Sequence, residues 1–163
     1  MLVVSNTSPI MNLAVLGLLD LLRQQFGEVI VPGAVIEELR LDADFPGTEN
    51  IRRAISEGWL REDKIENRQV VLALRRELDN GEAEAIALAL QLKINLILMD
   101  ERDGRSLAKS MGLTPIGVLG VLIRAKQNGD VNSVGDILKR LRSEAGFYIS
   151  DDLMQNILLE IGE

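Results

Sequence analysis

Asn95-Leu96-Ile97-Leu98-Met99-Asp100-Glu101-Arg102-Asp103 is an apolar run of strand length that ends abruptly in charge. Bounded by polar residues, it reads as a buried strand that delivers Asp100 at its carboxyl end. A helix is expected from about Asp103 to Met111, stopped by Gly112. The same succession opens the chain. Leu2-Val3-Val4-Ser5 reads as a strand, Asn6 follows it, and Ser8-Pro9 reads as a helix N-cap and first helical residue. That helix, carrying Ile10, Leu13, Leu16, Leu19 and Leu22, is apolar nearly all round, with a break at Gly17. Glu28-Val29-Ile30-Val31 is a further strand, and Pro32 starts the next helix.

Between these units, residues 42–50 carry the turn formers of a loop. Helices are expected over 50–57 and 67–78, with Trp59-Leu60-Arg61 extended between them. Asn80-Gly81 caps a helix running to about Lys93, and Leu113-Thr114-Pro115-Ile116 is an edge strand. An apolar helix over 117–128 and two more over 132–143 and 151–161 complete the chain. Alternating strands and helices predict an α/β domain with a mainly parallel sheet covered on both faces.

Composition narrows the chemistry. The 163 residues suit one domain, and 47% hydrophobic with 26% charged is ordinary for a globular protein. No apolar run is long enough to span a bilayer, and the N-terminus lacks the pattern of a signal peptide. With no cysteine there is no disulfide or thiol chemistry, so a cytoplasmic protein with no membrane partner is the expectation. With no histidine, Ser-His-Asp and Cys-His catalysis are excluded, and imidazole-based zinc sites are disfavoured. The abundant Asp and Glu supply hard oxygens of the kind that hold Mg²⁺ or Mn²⁺. A net charge of −7 argues against strong non-specific nucleic-acid binding, although bound divalent ions reverse the sign of an acidic site. The aromatics are Phe26, Phe45, Trp59, Phe147 and Tyr148, too few to predict a base-stacking platform.

Four stretches place acidic or polar residues where a strand is expected to meet a helix: around Asn6, Glu38, Glu82 and Asp100. Such positions converge at the carboxyl edge of an α/β sheet, where ligands bind. Each also has a plain structural reading. Asp100 serves equally as a turn or N-cap residue, and Asp103 as a complement to a helix dipole. At about 100° per residue, Glu38 flanks the Val35-Ile36-Leu39 face and Glu37 points away from it. Glu82 lies at the end of the Ala85-Ile86-Ala89 stripe and is the inward carboxylate, with Glu84 close enough to assist. Dipole complementation would account for both. Asn6 brings an amide where a carboxylate is expected, beside the hydroxyls of Thr7 and Ser8.

Val3 to Ile10, Val31 to Leu39, Asp79 to Ala89, Leu96 to Arg105 and Gly117 to Leu122 together resemble the PIN-domain superfamily, in a bacterial and archaeal branch with a hydrophobic first helix. The resemblance implies a three-layer α/β/α sandwich, with a PIN-like domain over 1–126 and a helical extension over 127–163 packed on it. It implies a Mg²⁺- or Mn²⁺-dependent ribonuclease, often the toxin of a toxin–antitoxin pair. Carried over by position, the catalytic and metal-holding acids fall on Glu38, Glu82 or Glu84, and Asp100, with Asp103 auxiliary and Thr7 and Ser8 supporting. One or two metal ions on such carboxylates activate water and offset charge on the phosphate without histidine. Arg102, Arg105 and Lys109 are candidates for the RNA backbone, or a solvated helix face.

Asn6 departs from the family pattern by removing one charge and one strong ligand. The expectation is weakened metal binding and attenuated cleavage, with a non-catalytic module that binds RNA or an antitoxin-like partner as the alternative. A phospho-acceptor domain would need a lysine after a late strand, and none is placed there. The apolar helices over 10–22 and 117–123 exceed what one small sheet needs, so their surplus faces either the core or a homodimer interface.

Overall fold

In a computed structural model describing residues 1–163, β1 (Leu2–Ser5) is the centre of the sheet. Parallel partners flank it: β2 (Glu28–Val31) with β3 (Leu60–Glu62) on one side, and β4 (Leu96–Leu98) with β5 (Thr114–Ile116) on the other. The order β3-β2-β1-β4-β5 makes all five strands parallel, with β3 and β5 at the edges. Such sheets are buried on both faces, and the side chains alternate accordingly. Val3, Val29, Val31 and Leu98 enter one core; Val4, Ile30, Ile97 and Met99 enter the other.

The first core lies under α1 (Thr7–Val15), α2 (Asp20–Phe26), α3 (Gly33–Glu38), α4 (Thr48–Ser56), α8 (Val118–Gln127), α9 (Val134–Glu144) and α10 (Asp151–Glu160). The second lies under α5 (Arg68–Leu74), α6 (Asn80–Leu92) and α7 (Arg102–Ser110). The protein is thus a three-layer α/β/α sandwich. Val134, Leu138 and Leu141 of α9 and Met154 and Ile157 of α10 belong to the first core. No helix is long and apolar enough to cross a membrane.

Several local expectations need correction. The first helix starts two residues earlier than Ser8-Pro9 implies, with Asn6 in the extended N-cap position. Gly17 does end it, at a φ of +73°. Asp79, not Asn80-Gly81, caps α6, its carboxylate accepting from the Glu82 N–H at 2.8 Å. Asn6 directly follows β1 and Asp100 follows β4 with Met99 between, whereas Glu38 ends α3, and Glu82 stands in the first turn of α6, which follows α5. Much of the apolar surface of the early and late helices goes inward, while Met11, Leu18, Leu119 and Ile123 stay half-buried. Ile10, Leu13, Leu22, Val118, Val121 and Leu122 are all fully buried in the chain's own core.

The candidate acidic site at the strand switch

From β1 the chain builds outward to β2 and β3, then returns to lay β4 on the opposite flank of β1 and β5 beyond it. The reversal leaves a crevice at the carboxyl ends of β1 and β4, the position where open α/β sheets bind ligands. Ser5 pairs with Leu98, and the Asn6 N–H donates to the Leu98 carbonyl at 2.9 Å. Asn6 and Asp100 therefore leave the sheet side by side.

Both arrive with a polar atom unspent. The buried Asn6 Oδ1 has no hydrogen-bond partner, and neither has Asp100 Oδ2. A buried acceptor without a partner costs about 1–3 kcal/mol, so the crevice suits a donor or a cation. The other Asp100 oxygen accepts from the Val118 N–H at 2.9 Å. Burial raises the Asp100 pKa, opposed by that hydrogen bond, by Arg105 and by the Ser8 hydroxyl.

Glu82 is the most perturbed group. Burial foremost, then Asp79, then the like charges of Glu101 and Asp103 push it up to about 8. Asp79 and Glu101 were not singled out by sequence; the spacing Asp79-x-x-Glu82, a capping-box pattern, was the signal that could have found the first. Asp103 is exposed, as are Arg102 and Lys109. Arg105 is half-buried and gives one N–H to the Met99 carbonyl at 2.9 Å, so it braces the strand end that carries Asp100.

Glu38 is exposed, like Glu37, but turns toward the start of α1: the Thr7 hydroxyl donates to it at 2.6 Å. Glu84 stands apart from Glu82. It is buried, paired with Arg68 at 2.9 Å, and accepts from the Ala34 N–H at 3.0 Å. Its position is explained by holding α3 against α6. No three acidic side chains stand at metal-holding spacing. The donors have the right chemistry for a divalent ion, hard oxygens with unspent lone pairs, but they are not gathered into a cage.

Two helical glycines make room for these carboxylates. A Cβ on Gly81 would stand 2.5 Å from a Glu38 oxygen, and one on Gly104 would meet Met99 Sδ and lie 2.8 Å from Glu82 Oε2. The two obstacles differ: Glu38 is an exposed, flexible side chain, whereas Met99 is fully buried. Gly81→Ala is expected to leave stability unchanged or raise it by up to ~1 kcal/mol while displacing the Glu38 carboxylate. Gly104→Ala is expected to cost about 1–3 kcal/mol. Thermal unfolding of the two variants checks the contrast; equal losses would mean that Glu38 is held rigidly.

No curated protein and no solved structure matches the chain. A family model described as a PIN domain matches residues 2–163, through the C-terminal helices as well as the sheet. That match, on an all-parallel three-layer fold with its acids at the strand switch, is decisive: the chain belongs to the PIN-domain family.

Proposed function

We propose that the protein is a divalent-metal-dependent ribonuclease that hydrolyses RNA phosphodiesters, slowed by Asn6. The observation that carries this reading is the paired, unspent oxygens of Asn6 and Asp100 at the strand switch; nearby, burial first and then acidic neighbours push the Glu82 carboxyl up. PIN domains generally use divalent metals. Asp100, Asn6 and Glu82 would hold such an ion, with Glu38 within the same edge of the fold. When bound, Mg²⁺ or Mn²⁺ supplies an activated water and offsets charge on the phosphate.

The chain's own residues do the rest. Val118 N–H and Arg105 orient Asp100 and favour its charged form. The Thr7 hydroxyl donates to the Glu38 carboxylate and so draws it toward the start of α1. Burial first, and then Asp79, Glu101 and Asp103, favour the protonated form of Glu82, so this carboxyl would have to give up its proton to serve as a ligand. A role as the toxin of a toxin–antitoxin pair, with an antitoxin protein as partner and a homodimer as working unit, belongs to the same proposal and rests on the family resemblance.

Asn6 also favours a second reading, a PIN-fold module that binds RNA or an antitoxin-like partner without cutting. The deciding experiment incubates structured and single-stranded RNAs with the chain in Mn²⁺, in Mg²⁺ and in chelator. Metal-dependent cleavage that disappears in Asp100→Asn supports the enzyme. RNA retention without cleavage in any metal supports the binding module, and neither cleavage nor binding sinks both.

A further inference from the structure

Tyr148 is the most exposed of the large hydrophobic side chains, at 86%. Its backbone, by contrast, is pinned on both sides. The Phe147 N–H donates to the Leu141 carbonyl at 2.9 Å, and Ile149 is buried in the first core. Arg142 donates to the Ile149 carbonyl at 2.6 Å and pairs with Asp151 at 2.9 Å. Ser150 then caps α10 through the Leu153 N–H. The loop between α9 and α10 thus holds an aromatic ring in water on a fixed support. A lone exposed ring is ordinary on a protein surface; what distinguishes Tyr148 is the cavities it lines.

Its position says what the partner is. Two cavities, of about 570 and 350 Å³, are both lined by Asp100, Phe147 and Tyr148. The larger adds Arg105 and apolar residues of β5 and α8; the smaller adds Ser8, Asn12 and the carboxylate of Glu101. Each space is lined by both ionic and aromatic side chains. In the larger space Arg105 can meet a phosphate oxygen and the exposed ring a flat base, which together suit a nucleotide; the carboxylates would meet a phosphate only through a bound cation. The low aromatic count argued against a stacking platform, but a count is blind to placement, and the fold sets one of the few rings beside Asp100.

We propose that Tyr148 stacks the base of a nucleotide adjoining the scissile phosphodiester of single-stranded RNA, so that the C-terminal extension supplies part of the substrate site. This rests on the ribonuclease reading above. Only an unpaired base can leave its neighbours to lie on a side-chain ring, which restricts the preferred substrate to loops and single strands. Stacking is tolerant of base identity, so the ring contributes affinity and register with little sequence preference.

The test measures binding of fluorescein-labelled single-stranded RNA octamers in Mg²⁺, with a set in which each position in turn is abasic. Tyr148→Ala is expected to weaken binding by about 10-fold, and Tyr148→Phe to stay within about twofold of the unaltered chain. One abasic position should reproduce the loss, and Tyr148→Ala should not weaken that octamer further. Unchanged binding by Tyr148→Ala, or equal losses at every abasic position, overturns the stacking role while Asp100-dependent RNA binding by the unaltered chain keeps the nuclease reading. A shift from dimer to monomer in Tyr148→Ala would assign the ring to a second copy of the chain and overturn the proposal. If no form binds any octamer, the proposal and the reading under it fall together.

Discussion

Replacing Asn6 with aspartate is expected to raise Mn²⁺-dependent cleavage of RNA by on the order of 10²–10³. The position is prepared for the change. Asn6 is 4% exposed, its backbone is locked to β4, and its Oδ1 already faces no donor. Aspartate has nearly the same shape, so the fold needs no repacking; what changes is one unit of negative charge. Without metal that charge sits beside Asp100, and the variant should unfold at a lower temperature than the unaltered chain. With Mn²⁺ the order should reverse, because the added carboxylate is repaid by a charged ligand bond. The double variant Asn6→Asp with Asp100→Asn should lose the gain. Equal rates for the unaltered chain and Asn6→Asp would show that the amide oxygen suffices. No cleavage by either, with both folded, would remove the main support for an enzyme.

What sequence reading could and could not reach follows from which interactions are local. Strand identities came through because β1, β2 and β4 are short apolar runs broken by polar residues. The sheet's parallel character followed from the helices between them. Strand order was not legible, since it depends on pairings between residues as distant as Val4 and Ile97. Yet strand order is what makes the β1–β4 crevice the switch point. The roles of Glu82 and Glu84 were separable only in part. Helical geometry turned Glu82 inward and left Glu84 on a mixed face, whereas both are buried; nothing near Glu84 in sequence announces Arg68 and the Ala34 N–H as its partners. Tyr148 was invisible for the same reason: it comes to Asp100 through the packing of α9 and α10 on the first core.

Glu82→Gln is expected to flatten the pH dependence of stability and to raise the unfolding temperature at pH 8. Burial and the surrounding acids raise the folded carboxyl from its ordinary 4.5 to about 8. Between those values the folded chain keeps a proton that the unfolded chain has released. Stability therefore falls as pH rises through that window and levels off above it. Allowing for screening by solvent, the loss is on the order of 2 kcal/mol, or roughly 4–8 °C for a chain of this size. The raised Asp100 acts in the same direction, so the variant keeps a shallower slope. Glu66→Gln, an exposed change of equal charge, controls for the general effect of net charge and should leave the slope intact. A divalent ion must displace the Glu82 proton to bind, so the stabilisation by Mn²⁺ should grow from pH 6 to above pH 8 in the unaltered chain. In Glu82→Gln that growth should largely vanish, because no proton is left there to compete. A pH-independent unfolding temperature in the unaltered chain, or the same slope in Glu82→Gln, would mean that Glu82 is solvated and ionised like any surface glutamate. The acidic pocket would then hold no stored repulsion for a metal to relieve.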